Sequence, residues 1–233
     1  VRIIGAGRAG TSLAGALERC GWGVEPIVGR GGDLAAAATQ VDLVLIATPD
    51  SAIAGVAASV RPGDAVIAHV AGSLGLDVLA PHRRRAAIHP LVSLPNASVG
   101  VDRLLAGASF AVAGDPIAAE VVAALGGNAF GVADEDRAAY HAAACIASNH
   151  LVALLGQVER VGATAGVPLA AYLDLVRGTV ENVADLGPAA ALTGPAARGD
   201  LATIERHLAA LDPAERPAYQ ALMEAARALA AGG

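Results

Sequence analysis

A chain of 233 residues is long enough for one large domain or two modest ones, and its 55% hydrophobic but only 3% aromatic content means a core built from Ala, Val and Leu. The net charge is −6 and the basic residues are scattered apart from Arg83-Arg84-Arg85, which argues against nucleic acid as the main partner. All 16 Lys+Arg residues are Arg, so any mechanism that needs a Lys acid, base or Schiff base is excluded: a guanidinium does not deprotonate usefully.

Val1-Arg2-Ile3-Ile4 reads as a buried strand, and it runs directly into Gly5-Ala6-Gly7-Arg8-Ala9-Gly10. This G-x-G-x-x-G spacing, between a strand and a helix, predicts a dinucleotide fingerprint. Gly5 takes the tight turn, Gly7 lets a pyrophosphate approach the backbone, and Gly10 lets the helix pack close to the strand. The helix starting near Ala9 then aims unpaired N–H groups at the phosphates, with Arg8 and Ala9 among the expected contacts. No basic n-region precedes the strand, so no signal peptide is expected, and the start without Met reads as trimmed. Cys20 and Cys145 lack metal-ligand spacing, so no metal is expected and a reduced, cytoplasmic setting is the default.

Val24–Val28 reads as the second strand, ending in Gly29-Arg30-Gly31-Gly32. That is where such a fold meets the adenosine ribose. An acid there would bond the 2′-hydroxyl of NAD; Arg30 suits a 2′-phosphate, so NADP is the expected cofactor. A short helix is expected from Asp33, then a central parallel strand at Val41–Ala47. Thr48 and Pro49, at its carboxyl end, should border the nicotinamide half of the cofactor, with Asp50 or Ser51 capping the next helix. The strand Ala65–Val70 carries His69 near its end and leads to Ser73; the strand Ala86–Ile88 leads to His89-Pro90. Two His and two Ser at neighbouring strand ends make this edge the expected chemical surface, with His69 and Ser73 toward the substrate. Phe110–Ala113 and Ala129–Val132, joined by a helix from Pro116, complete the sheet.

From Asp134 the pattern turns to long helices, which divides the chain into a doubly wound, mainly parallel α/β domain at 1–133 and an all-α domain at 134–233. On the helix running to about Gly162, His141, Cys145, Ser148, Asn149 and Val152 fall on one face, and this polar stripe is expected to look into a cleft. His150 lies off the stripe and reads as structural. The same polar residues interrupt the apolar stretch 138–156, so no membrane span is expected. A helix from Pro168 to about Asp185 follows, then a Gly- and Pro-marked loop, 186–200. In that loop Arg198 has two readings, a clamp on a substrate carboxylate or a local loop contact, and Asp200 caps the next helix.

With these landmarks placed, the chain resembles the Rossmann-like proteins whose helical C-terminal domain is of unknown function. That family is similar to pyrroline-5-carboxylate reductase and to the wider β-hydroxyacid-dehydrogenase-like group. The resemblance rests on Gly5–Gly10, Ala47-Thr48-Pro49-Asp50, His69–Ser73, Ile88–Leu91, Tyr140–Ala144, Ser148-Asn149-His150, and Leu192–Pro195 with Arg198-Gly199-Asp200. It implies a nicotinamide-dependent reductase or dehydrogenase whose helical domain forms a homodimer and closes the cleft. The segment matching Ile146–Asn149 lines the substrate pocket in pyrroline-5-carboxylate reductases; here Ser148 stands without their glycines.

Hydride transfer needs an electrophilic C=O or C=N and a proton or a positive charge already present. With no Lys, a protonated imine would need only orientation by Ser148 and Asn149, whereas a keto acid would need His89 or His141 as acid. The expectation is an NADP-dependent oxidoreductase acting on a small carboxylate-bearing imino or keto compound. The alternative is a dimer that binds NADP(H) without turnover, as a sensor or regulatory module.

Overall fold

The structure is a computed structural model that describes residues 1–232. By packing it divides into two compact units, Val1–Ser148 and Asn149–Gly233. The helical region begins at Asp134, next to the expected boundary, but its first helix packs with the first unit.

The first unit is built on a six-stranded sheet, β1 (Arg2–Ile4), β2 (Leu43–Ile46), β3 (Val66–His69), β4 (Arg85–Pro90), β5 (Ser109–Gly114) and β6 (Asn128–Gly131), in that spatial order. All pairings are parallel except β4–β5. The strands are uninterrupted apolar runs because both faces are covered. Ile3, Leu43, Leu45, Val66 and Ile88 point to the face packed by α1 (Arg8–Arg19) and α3 (Ala97–Leu104). Ile4, Val44, Ile46 and Ile67 point to the opposite face, where Ile53 and Ala57 of α2 (Asp50–Ser59) lie. The helix α4 (Ile117–Ala124) buries Val121 and Val122 in the first of these cores.

Two expected elements are not regular ones. Val24–Val28 makes only an isolated parallel bridge, Val28 to Ile4. Pro26 has no N–H to give and its ring restricts Glu25, so the ladder breaks in mid-segment. Glu25 and Val28 still donate to Val1 O and Ile3 O, and Gly5 N donates to Val28 O. β1 is therefore flanked on both sides, and the connections part at its carboxyl end. The stretch from Asp33 forms turns, not a helix. Asp33 does cap it, accepting from Ala36 N, but Arg2 takes the carbonyls of Ala36 and Ala37, and Gln40 has φ 58°. The helix cannot propagate once its acceptors are spent on a side chain.

The helix α5 (Arg137–Cys145) passes through a π turn at Ile146–His150 into α6 (Leu151–Thr164). That turn changes the residue spacing, so His141 and Cys145 are not held on one continuous face with Asn149 and Val152. Asp134–Thr164 is also, by length and composition, long and apolar enough to cross a membrane. His141, Ser148, Asn149 and His150 interrupt the stretch but add too little charge to fail that measure of length and composition. The second unit continues with α7 (Leu169–Leu186), the short α8 (Pro188–Ala191) and α9 (Pro195–Arg198), α10 (Leu201–Ala210) and α11 (Arg216–Ala231). Asp200 caps α10 as expected, accepting from Thr203 N at 3.0 Å.

The junction of β1 and α1 tolerates no side chain at Gly10, where a Cβ would come 2.0 Å from Gly5 O. Backbone cannot yield as a side chain can, so Gly10→Ala should lower the unfolding free energy in urea by about 3 kcal/mol. At Gly7 a Cβ meets nothing within 4 Å, and Gly7→Ala should cost no more than about 1 kcal/mol.

Candidate functional site

A cavity of about 690 Å³ opens at the carboxyl ends of β1 and β2, lined by Gly5, Ala6, Gly7, Val28–Gly32, Ala47, Thr48 and Pro49 among others. Its shape follows from the glycines. Gly5 has φ +116°, and a Cβ there would lie 2.6 Å from Ala47 O, so only glycine lets the turn sit against the β2 end. α1 starts at Gly7 with no side-chain cap, which leaves its first N–H groups free to meet an anion. Arg8 and Ala9 begin that first turn, with Arg8 exposed, and Arg30 stands exposed on the rim formed by Val28–Gly32. One polar atom in the wall is orphaned: Thr48 Oγ1 is buried without a hydrogen-bond partner among the described residues. An uncapped helix start and an unpaired buried hydroxyl in one wall are what a bound dinucleotide would complete.

Asp50 does not cap α2. Its carboxylate accepts from Ser73 Oγ at 2.8 Å instead, tying the end of β2 to the loop after β3. His69 is completely buried, with both ring nitrogens engaged. Nδ1 accepts from Ala71 N at 3.2 Å, which puts the ring proton on Nε2, 3.1 Å from Gly75 O. Burial, above all, lowers its pKa. His69 holds the Ala71–Gly75 loop and has no free atom to offer a substrate.

That loop is where α5 meets the sheet. A Cβ on Gly72 would lie 2.7 Å from His141 Cδ2 and 2.9 Å from His89 Nε2. One on Gly75 would lie 2.7 Å from Asp134 Oδ2, which accepts from Leu76 N. These two glycines let the polar side chains of α5 and its lead-in reach the strand ends. His89 Nδ1 lies 2.6 Å from Tyr140 Oη, and its ring meets those of Tyr140 and His141 edge to face at 5.5 and 5.8 Å. Burial, then the nearby His141, holds the His89 pKa down to about 4, while Asp50 pulls the other way. Burial pushes the Tyr140 phenol up, and the Arg137 charge pulls it back. Arg137 itself is completely buried; its Nε donates to Asp134 Oδ1 at 3.0 Å, and its two terminal nitrogens have no partner among the described residues.

The first unit thus brings His89, His141, Ser73 and His69 into one neighbourhood, beside the Thr48–Pro49 wall through the Asp50–Ser73 bond. Ser148 is exposed at the end of this unit, and Asn149 and Arg198 are exposed side chains of the second unit. Tyr140, Arg137 and Asp134 were not among the expected site residues. Their signal lies in the acidic lead-in Asp134–Asp136 and in Tyr140 standing immediately before His141, yet only the tertiary approach at Gly72 and Gly75 gives it meaning. Among the described residues no group of three or more His, Cys, Asp or Glu could hold a metal ion.

A family model described as Domain of unknown function (DUF2520) matches residues 109–226, and one described as Rossmann-like domain matches residues 32–95. No curated protein matches the chain in sequence. Among solved structures, a Bacteroides fragilis protein named as a candidate NADP oxidoreductase is similar at 24% identity and TM-score 0.79, over 97% of this chain and 96% of that one. The reductive aminase of Aspergillus terreus in complex with NADPH and ethyl levulinate is similar at 17% and 0.73, over 97% and 92%. The pyrroline carboxylate reductase of Plasmodium falciparum with NADP bound is similar at 13% and 0.64, over 98% and 97%. At these identities the likeness is one of fold.

Because folded His89 ionises near 4 and an unfolded histidine near 6.5, the unfolded chain takes up a proton that the native site refuses as pH falls between those values. This stabilising contribution is intact above about pH 6.5 and lost by about pH 4, an effect on the order of 3 kcal/mol. Buried His69 acts in the same direction. Urea midpoints at about pH 7 and about pH 4.5 should therefore differ less in His89→Asn than in the parent chain.

Proposed function

The chain belongs to the family of the domain of unknown function (DUF2520), and from that premise we propose that it is an NADP-dependent oxidoreductase reducing a small, carboxylate-bearing imino or keto compound. The observation that carries this reading is the cavity at the β1 and β2 ends, with a wall at Gly5 that only glycine can form, an orphaned Thr48 hydroxyl and Arg30 on its rim. Two of the structural neighbours, by their names, hold NADPH or NADP, which supports the same cofactor here. When bound, that cofactor supplies a hydride.

The chain's own residues divide the remaining work. The Gly5–Gly7 backbone and the first turn of α1, from Arg8 and Ala9, hold the pyrophosphate through N–H groups. Arg30 gives a charged, forked donor to a 2′-phosphate, where an acid would repel it. Thr48 and Pro49 wall the reacting end. His89, Tyr140 and His141 stand beside that wall and keep titratable protons at the reacting edge, in a chain with no Lys to do so.

The helical unit supports a homodimer. Val152, Leu175, Val180, Leu186 and Leu222 are large apolar side chains left exposed on its helices, surface of the kind a partner would cover. A second copy of the chain is the occupant we assign to them.

Thermal unfolding tests the cofactor. NADPH at about 100 times its dissociation constant should stabilise by about 2.7 kcal/mol and raise Tm by several degrees; no shift with NADPH or NADH would sink the assignment. Arg30→Ala should weaken NADPH binding by about tenfold and leave NADH nearly unchanged. Equal losses would return Arg30 to an ordinary loop residue. Sedimentation equilibrium should give twice the chain mass, and a Leu175→Glu Val180→Glu double variant should shift it toward the monomer.

A further inference from the structure

We propose that Tyr140 is the acid that protonates the substrate, held in place by a hydrogen bond from His89. This rests on the reductase reading above and assigns the proton to a residue that nothing else singles out.

Geometry carries the assignment. The 2.6 Å contact between His89 Nδ1 and Tyr140 Oη has one proton in it, and either ring or phenol donates that proton. If Tyr140 donated, its only proton would be committed to the histidine, and Nε2 would have to carry the ring proton. Nε2 faces the backbone at Gly72 and the edge of His141, and among the described residues no protein acceptor is bonded to it. A proton on Nδ1 moves the unpaired donor from the packed Nε2 to the phenol of the half-buried Tyr140, which can give it to water or to substrate. His89 then donates to Tyr140, and the phenol proton is free to point into the site. Phe130 packs edge to face on the other side of the phenol ring at 5.8 Å and, with His89, limits its rotation.

The charges around the pair fit that direction of transfer. Arg137, buried on the same helix with two terminal nitrogens unpartnered, favours a phenolate at Tyr140. Asp50, at the start of α2 and bonded to Ser73, acts on His89, and Asp134, in the turn before α5, pairs with Arg137. His141 is the ring next to His89 Nε2. The step balances as follows: the C=O or C=N carbon receives the hydride, the Tyr140 O–H bond breaks, and an O–H or N–H bond forms on the substrate. The phenolate, held meanwhile by the His89 Nδ1–H, then takes a proton from water, whose hydroxide passes to the solvent, and His89 keeps its tautomer. The net change is one hydride and one proton added to substrate, with NADPH oxidised to NADP⁺.

The tautomer decides first. Long-range ¹H–¹⁵N spectra of the histidine-labelled full chain at neutral pH should show His89 protonated at Nδ1 and bare at Nε2, the signals assigned by their loss in His89→Gln. A proton on Nε2 with bare Nδ1 overturns the proposal, because Tyr140 would have no proton to give. The second arm compares two probes with NADPH: pyruvate and its longer 2-oxo acid homologues, which need a proton, and an N-methylated cyclic iminium carboxylate, which carries permanent charge and needs none. Tyr140→Phe should lower 2-oxo acid reduction by at least about 100-fold and iminium reduction by less than about tenfold. Equal loss on both probes, or a parent chain that binds NADPH yet reduces no 2-oxo acid, also overturns it. NADPH affinity measured on the same samples separates the readings: failure to bind defeats the reductase reading, whereas the histidine tautomer stands or falls without cofactor.

Discussion

The approach of α1 to the turn after β1 is the constraint on which the rest depends. Gly10 has room for a hydrogen and nothing more, and Gly5 is pressed in the same way against the end of β2. These contacts do two things at once. They lock the helix to the sheet through backbone atoms, which cannot relax as side chains do. They also bring the uncapped start of α1 to the mouth of the cavity, where its N–H groups remain unpaired. A stabilising contact and a binding surface are therefore one feature, and no substitution separates them.

The same device recurs at the other end of the site. Gly72 and Gly75 admit His141, His89 and Asp134 to distances that a Cβ would forbid, so the cluster is assembled by absent side chains as much as by present ones. Assembly has an electrostatic cost. His89 is kept neutral by burial and by His141, and Arg137 is buried with a single carboxylate partner. Such a guanidinium favours anions in its surroundings and disfavours further cations. That is the environment in which a phenol can become a phenolate briefly and a histidine cannot easily become an imidazolium.

The sheet was legible in the sequence because its strands are covered on both faces. Leu43–Ile46 and Val66–His69 fall in short apolar runs rich in β-branched residues, and their length and composition favour buried strands over helix segments. The Gly5–Gly10 spacing was legible for the same local reason. What failed to show depends on contacts distant in sequence. The segment Val24–Val28 has strand composition, but Pro26 decides its pairing. The stretch after Asp33 has a cap and an Ala run, and Arg2, from another element, takes its acceptors. Asp50 looked like a cap until Ser73 was placed beside it. Helical spacing put His141 and Asn149 on one stripe, and a π turn, which has no sequence signature of its own, removed the basis for it.

Tyr140 shows the limit most clearly. As a residue type it offers a weak acid and an aromatic face, and on an Ala-rich helix it has no reason to be chosen over its neighbour His141. Proximity reverses that order. The histidine nearest the strand end is driven out of the useful range by burial, so at neutral pH it is an uncharged ring that can hold the phenol but has no acidic proton to deliver. A phenol with a ring N–H behind it and a fixed guanidinium nearby needs no cationic intermediate at any stage. In a polypeptide whose every basic side chain other than histidine is permanently charged, proton delivery has to come from a group that is neutral before transfer and tolerates charge after it. Within this neighbourhood Tyr140 meets both conditions.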